Sequence, residues 1–371
     1  MERSELLNVF FYFLRKGLWN KEEELPELTI SAEDWKQLFE LAHRQAVTGL
    51  LIDGVSRGAA KPEDEVWGRW IAHLFQLERG NRWMTQLGEE WLRSLNNVGI
   101  SASVFKGSSV AGWYQNPLHR SMGDIDIVVT EGWKKLNDTL QQMGYKPERY
   151  DNDEIVVHMA NAKGIYVEFH RQWEYLFHPK TNARLQELCK GGLSDEMYFV
   201  CLILHIQRHF LTYGIGLKQV CDIAVMLYTT SLNHKEIAEI LKSLHAERFS
   251  RLLFGFICVY LTPFTEFPLS PITEGKSFDL LKEVILQEGY DLKKEQELVS
   301  GSKSWSLVRI LNNAWFWTKR CFRMFGILPG EAIGFLVYKV SKRIKCVLPR
   351  SFTALRSVLD DKGRMRNKRK K

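Results

Sequence analysis

Apolar and polar positions divide this chain into three regimes. Up to about residue 97 the period is helical. Residues 33–51 (EDWKQLFELAHRQAVTGLL) place Trp35, Leu38, Leu41, Ala42, Gln45 and Gly49 at helical spacing, with Ser31 positioned as the N-cap. Residues 66–95 predict a second long helix that ends near Asn96, Asn97 and Gly99. The pattern then changes. A short apolar run over 100–105 meets Lys106-Gly107-Ser108-Ser109 and a predicted short helix to Tyr114. Residues 125–129 (IDIVV) are β-branched and predict a buried strand, and 130–144 predict a helix stopped at Gly144. Two further strands are predicted over 155–159 and 165–169, with Asn161 and Gly164 marking the turn between them. Beyond Trp173 the helical period returns over 195–210 and 217–228, and again near 234–244 and 249–261. A loop marked by Pro263, Pro268 and Pro271, a charged segment over 282–297 and a basic C-terminal region follow.

This pattern predicts an α+β chain with four segments. Residues 1–97 form an N-terminal helical region, 98–175 a core with a small mixed sheet, and 176–300 a helical domain. Residues 301–371 form a basic, aromatic-rich, amphipathic C-terminal region and tail.

Composition adds little until charge is resolved along the chain. Hydrophobic residues make up 45% of it, which excludes an intrinsically disordered chain. The net charge of +7 hides an asymmetry: 18 basic and 3 acidic residues lie from Gly301 onward, against 33 basic and 41 acidic before it. An acidic body with a basic C-terminal region argues against a uniformly basic nucleic-acid-binding surface. The six cysteines are widely spaced with no CxxC pair, which predicts neither a zinc site nor a disulfide framework. Glu2 and Glu5 precede the apolar stretch 6–14, unlike the basic start of a signal peptide, and no apolar run is long enough to span a bilayer. The expectation is a cytoplasmic protein.

The chemistry concentrates in Gly123-Asp124-Ile125-Asp126-Ile127, with Gly107-Ser108 upstream and Val167-Glu168-Phe169-His170 downstream. Residues two apart on a strand share a face, so Asp124 and Asp126 project together and repel unless a cation lies between them. If the strand carrying Glu168 pairs beside them, three acids converge in the geometry of two-metal transfer to phosphorus. Gly107 lets the backbone approach an anion, Ser108 adds a hydroxyl, and Lys106 and Arg120 bring positive charge to phosphates. His170 shares a face with Glu168, which suits either orienting that carboxylate, touching an acceptor, or a structural hydrogen bond. His205 and His209 lie four apart on a helix but show no third zinc ligand, so a packed role is expected for them.

These motifs carry a resemblance. Gly-Ser, then Asp-x-Asp on a strand, then a later acid resembles the superfamily of nucleotidyltransferases that includes DNA polymerase β. More narrowly, FKGSSVAGWY, HRSMGDIDIVV and VEFHRQW resemble the uncharacterised nucleotidyltransferase family of bacterial proteins. The DWKQLFELAHRQAVTGLL and HIQRHFLTYGIGLKQVCDIAVML segments extend the likeness to roughly residues 30–260. The resemblance implies a polymerase-β-like core, two Mg²⁺ ions on Asp124, Asp126 and Glu168, and an NTP held by Lys106, Gly107, Ser108 and Arg120. It implies no particular acceptor, whether small molecule or protein; His170 is the residue expected on that side.

Two alternatives stay open at this level. One is a nucleotide-binding regulatory or scaffold protein without turnover. The other places the main activity in residues 301–371, docked on an anionic membrane, RNA or a protein partner. There Ile333, Leu336, Val337, Val340, Ile344 and Val347 form an apolar stripe with Lys339, Lys342, Arg343 and Lys345 largely off it. The expectation for that stripe is packing against the protein's own body.

Overall fold

The computed structural model describes residues 1–21, 24, 29–149, 155–158, 166–212, 214–261, 264, 266–288 and 307–341. Within these residues the fold is mostly helical around one small mixed sheet, an α+β architecture. The predicted turn over 160–165, much of the charged segment, and Ile344 and Val347 of the apolar stripe lie outside the described residues.

Four helices precede the sheet: α1 (Arg3–Trp19), α2 (Ala32–Arg44), α3 (Thr48–Arg57) and α4 (Asp64–Asn97). The single helix expected over 33–51 is in fact α2 and α3, broken where Ala46 adopts φ 54°. The break has a tertiary cause. The buried Gln45 side chain donates to Ile285 O at 2.9 Å and accepts from Leu217 N at 2.8 Å, tying this corner to two distant helices. Ser31 caps α2 as expected, in a capping box with Asp34.

The strands are β1 (Ala102–Val104), β2 (Ile125–Val129), β3 (Glu148–Arg149), β4 (Ile155–His158) and β5 (Tyr166–His170), in the order β1-β2-β5-β4-β3. The central β2–β5 pair is parallel and every other pair is antiparallel. Period-two alternation gives the sheet two unlike faces. Ile125, Ile127, Val129, Val167 and Phe169 pack against α4 through Met84, Trp91 and Leu95, and against α6 (Trp133–Gln142) through Leu136 and Leu140. The opposite face of β2 and β5 presents Asp126, Val128, Glu168 and His170 to the helices that follow. The short helix α5 (Ser108–Ala111) lies between β1 and β2.

Those later helices are α7 (Pro179–Leu188), α8 (Asp195–Thr212), α9 (Leu217–Thr229), α10 (His234–Ser243), α11 (Glu247–Tyr260) and α12 (Lys276–Glu283), the last running into a π turn. A C-terminal hairpin of α13 (Leu307–Met324) and α14 (residues 329–341) closes the described chain. One hydrophobic core runs continuously from Val9 in α1 to Phe335 in α14, so the four segments delimited in the sequence share it. Aromatic rings join α1 to α11 and α9, with Phe11 4.8 Å from Tyr260 and Trp19 4.9 Å from Tyr228.

The C-terminal stripe corrects an expectation. Ala332 and Phe335 are buried and Leu336 is half-buried, whereas Ile333, Val337 and Val340 are exposed by 52%, 61% and 57%. The helix is rotated so that its aromatic edge, rather than its aliphatic stripe, meets the body. Among the described residues no helix is long and apolar enough to cross a membrane.

Candidate active site

The strand face carrying acids is assembled by register. Parallel pairing sets Asp126 directly beside Glu168 and Val128 beside His170. His170 Nε2 lies 2.8 Å from Asp126 Oδ1 and 3.6 Å from Glu168 Oε2. Asp126, Glu168 and His170 each offer one ligand atom, all within 4.8 Å of one another. Asp124 stands one residue ahead of β2, half-buried, and lines the same cavity as these three.

Lys106 reaches this face through a strained bend. Lys106 has φ 68° and Gly107 φ 52° with ψ −116°, the latter a conformation that suits glycine. Tyr198 holds the bend, its hydroxyl accepting from Lys106 N at 3.1 Å and bonding Ser109 Oγ at 2.7 Å. Ser109 Oγ in turn donates to Lys106 O at 2.7 Å. The Lys106 ammonium then lies 3.2 Å from Asp126 Oδ1. Gly107 lines the cavity, and Ser108 starts α5 beside it without lining it.

Electrostatics separate the three acids. Burial works to raise the Asp126 carboxyl, but the Lys106 ammonium and the His170 hydrogen bond outweigh it and hold this group far below the usual carboxylate range. At Glu168 the balance is reversed, because His170 stands farther off at 3.6 Å and His170 and Lys106 offset only part of the rise. Burial first, then the charges of Asp126 and Asp124, push its carboxyl up to about 7. Asp124 is raised for the same two reasons, burial and Asp126. The protein's own cations thus outweigh burial at Asp126 alone, and at Asp124 and Glu168 burial and mutual repulsion prevail, which a bound cation would relieve. The oxygen donors of Asp124, Asp126 and Glu168 fit a hard divalent ion such as Mg²⁺.

Arg120 has a different setting. It is buried, and its Nε and Nη2 bind the two oxygens of Asp222 at 2.7 Å each. Tyr114 donates to the same carboxylate at 2.6 Å. Arg120 still lines the cavity, but this fork is committed to α9.

The cavity, about 480 Å³, extends well past the acids to His205 and His209, for which a packed role was expected, and to Arg208 and Lys218, which with the neighbouring Glu174 sequence reasoning passed over. Glu174 is buried and accepts from Arg208 Nε at 2.7 Å, and its other oxygen lies 2.9 Å from His205 Nδ1. Burial and then Lys106 push His205 down to about 4, so its ring is neutral at pH 7. His205 and His209 pack ring to ring at 4.3 Å in the cavity wall. Lys218 brings a further cation from the start of α9, close enough to offset part of the rise at the Asp124 carboxyl. A sequence signal for part of this set existed. His205, Arg208 and His209 interrupt the otherwise apolar α8 at i, i+3 and i+4.

A family model described as uncharacterised nucleotidyltransferase matches residues 31–261, which include every residue named in this site. No curated protein and no solved structure matches the chain.

Proposed function

This chain belongs to the uncharacterised nucleotidyltransferase family, and on that premise we propose that it transfers an NMP from an NTP to an acceptor, using a polymerase-β-like core. The observation that carries the reading is the register that sets Asp126 beside Glu168, with Asp124 in the same cavity. Asp124, Asp126 and Glu168 would hold the divalent ions, two by this reading. When bound, these ions neutralise the triphosphate and polarise the α-phosphorus.

The chain's own groups divide the remaining work. Lys106 and Lys218 offer positive charge to the phosphates, and Gly107 leaves room for them. The acceptor's nucleophilic atom forms a bond to the α-phosphorus as the bond from that phosphorus to the bridging oxygen breaks. Pyrophosphate leaves with the electron pair. Glu168, which lines the cavity beside Asp126, takes the acceptor's proton. His170 orients Asp126 through its 2.8 Å hydrogen bond and faces the acceptor side.

Calorimetry tests this without knowledge of the acceptor. Folded wild-type protein with Mg²⁺ is expected to bind at least one of ATP, GTP, CTP and UTP. The Asp124→Asn/Asp126→Asn variant is expected to lose that binding by at least a hundredfold, on the order of 3 kcal/mol. Wild-type protein that is folded yet takes up none of the four would sink the reading.

A further inference from the structure

The matched family segment ends at residue 261, but the cavity wall does not. Two charged residues, the buried Arg320 and the half-buried Glu331, fasten the C-terminal hairpin to the segments that carry the site. Arg320 of α13 donates to Phe210 O at 2.6 Å and Leu211 O at 2.8 Å, capping the end of the helix that bears His205, Arg208 and His209. Glu331 of α14 accepts from Phe177 N at 2.6 Å and His178 N at 3.0 Å, just past the Glu174 that pairs with Arg208. At Gly334 the α14 backbone rests directly on the Phe177 peptide, where a Cβ would lie 2.6 Å from its carbonyl.

These clamps bring Trp317, Phe335, Tyr338 and Lys339 into the cavity beside Tyr175 and Phe177. The rings form one connected wall, with Phe177 4.8 Å from Phe335, 5.4 Å from Tyr338 and 5.5 Å from Tyr175. Cations stand over it: Lys339 Nζ is 4.5 Å from the Trp317 ring centre, and the Arg208 guanidinium 4.6 Å from that of Tyr175. The wall is linked to the acids by a chain of contacts. Lys106 lies on Asp126 and feels the charge of Glu174, Glu174 holds Arg208, and Arg208 covers Tyr175. Of the six Phe, Tyr and Trp side chains lining the cavity, five belong to this wall, Tyr166 being the sixth.

We infer that this aromatic and cationic wall, completed by the C-terminal hairpin, is the subsite for the nucleobase of the NTP. The inference rests on the nucleotidyltransferase reading above. That reading puts the triphosphate at Asp124, Asp126 and Lys106, and the base is covalently tied to it. A planar ring inside this cavity finds stacking partners chiefly on the wall, and Lys339 and Arg208 add cation–π attraction to its face.

The test separates base from phosphate. The full chain, its Tyr338→Leu variant and its Lys339→Met variant are titrated with Mg²⁺ and each NTP, and in parallel with Mg²⁺ and inorganic tripolyphosphate. Both substitutions keep apolar bulk, and thermal melts establish that each variant folds. Wild type is expected to bind an NTP more tightly than tripolyphosphate. Each variant is expected to bind that NTP about five- to a hundredfold more weakly, with tripolyphosphate unchanged. NTP affinity unchanged in both variants, or equal wild-type affinity for NTP and tripolyphosphate, overturns the subsite and leaves the catalytic reading standing. If wild type binds neither probe, both fall.

Discussion

Glu168→Gln is expected to abolish Mg²⁺-dependent nucleotide binding and, in the same protein, to raise the stability of the ion-free fold at pH 8. The two effects share one cause. Burial and the neighbouring Asp126 and Asp124 push the Glu168 carboxyl up to about 7 from an ordinary 4.5. A carboxyl raised on folding binds its proton more tightly in the folded chain than in the unfolded one. Its charge therefore weakens the fold as pH rises from about 4.5 to 7, and the full cost persists above 7. That shift corresponds to a cost on the order of 1–3 kcal/mol at pH 8. Glutamine removes the charge at nearly the same size, so melting in EDTA should rise by a few degrees at pH 8 and hardly change at pH 4. With Mg²⁺ the order reverses. Wild type gains stability from the ion at pH 8 and less at pH 6, where protons compete for Glu168, whereas the variant gains little at either pH. A variant less stable than wild type at pH 8 in EDTA would show that Glu168 has a compensating cation in the protein itself.

Legibility in the sequence followed the range of the interaction. Asp124, Asp126 and Glu168 stood out as candidates because strand alternation and apolar flanks are local signals, and the parallel β2–β5 pairing on which their convergence depended does set Asp126 beside Glu168. The helix caps at Ser31 and the stop near Gly144 were readable for the same reason. The break at Gln45 was not, because a buried amide bonded to Leu217 and Ile285 overrides a good helical period. Nor was the aromatic wall, since Tyr175, Trp317 and Tyr338 meet only through tertiary packing fixed by Arg320 and Glu331. The apolar stripe of α14 misled for a related reason. Periodicity locates a face but does not say which of two faces the body prefers, and here Phe335 beside Phe177 and Trp317 outweighed the aliphatic edge. Arg120 illustrates the same limit in charge. Four residues from Asp124 it reads as a phosphate ligand, yet the carboxylate that binds its fork is Asp222, 102 residues away.

That pair supports the second large prediction: Arg120→Ala should destabilise the protein by about 3–5 kcal/mol. Arg120 and Asp222 are 4% and 5% exposed, so the substitution strands a carboxylate in the interior with, among the described residues, only the Tyr114 hydroxyl as a donor. The loss should exceed what Arg120→Met/Asp222→Leu causes, because the double variant removes both charges and fills the space with apolar atoms. Denaturant melts of Arg120→Met, Asp222→Leu and the double variant measure this coupling. The geometry makes the pair a joint between halves of the cavity. Arg120 lies in the segment entering β2, whose backbone Asn81 also holds at 2.7 and 2.9 Å, and Asp222 lies one turn into α9 past Lys218. Stability and ligand binding can therefore be read apart in the double variant. Recovery of both would define Arg120 as a clamp that positions Asp124 against Lys218. Recovery of stability without Mg²⁺–NTP binding would show that the guanidinium also meets the phosphates, through the face of its fork that Asp222 leaves uncovered.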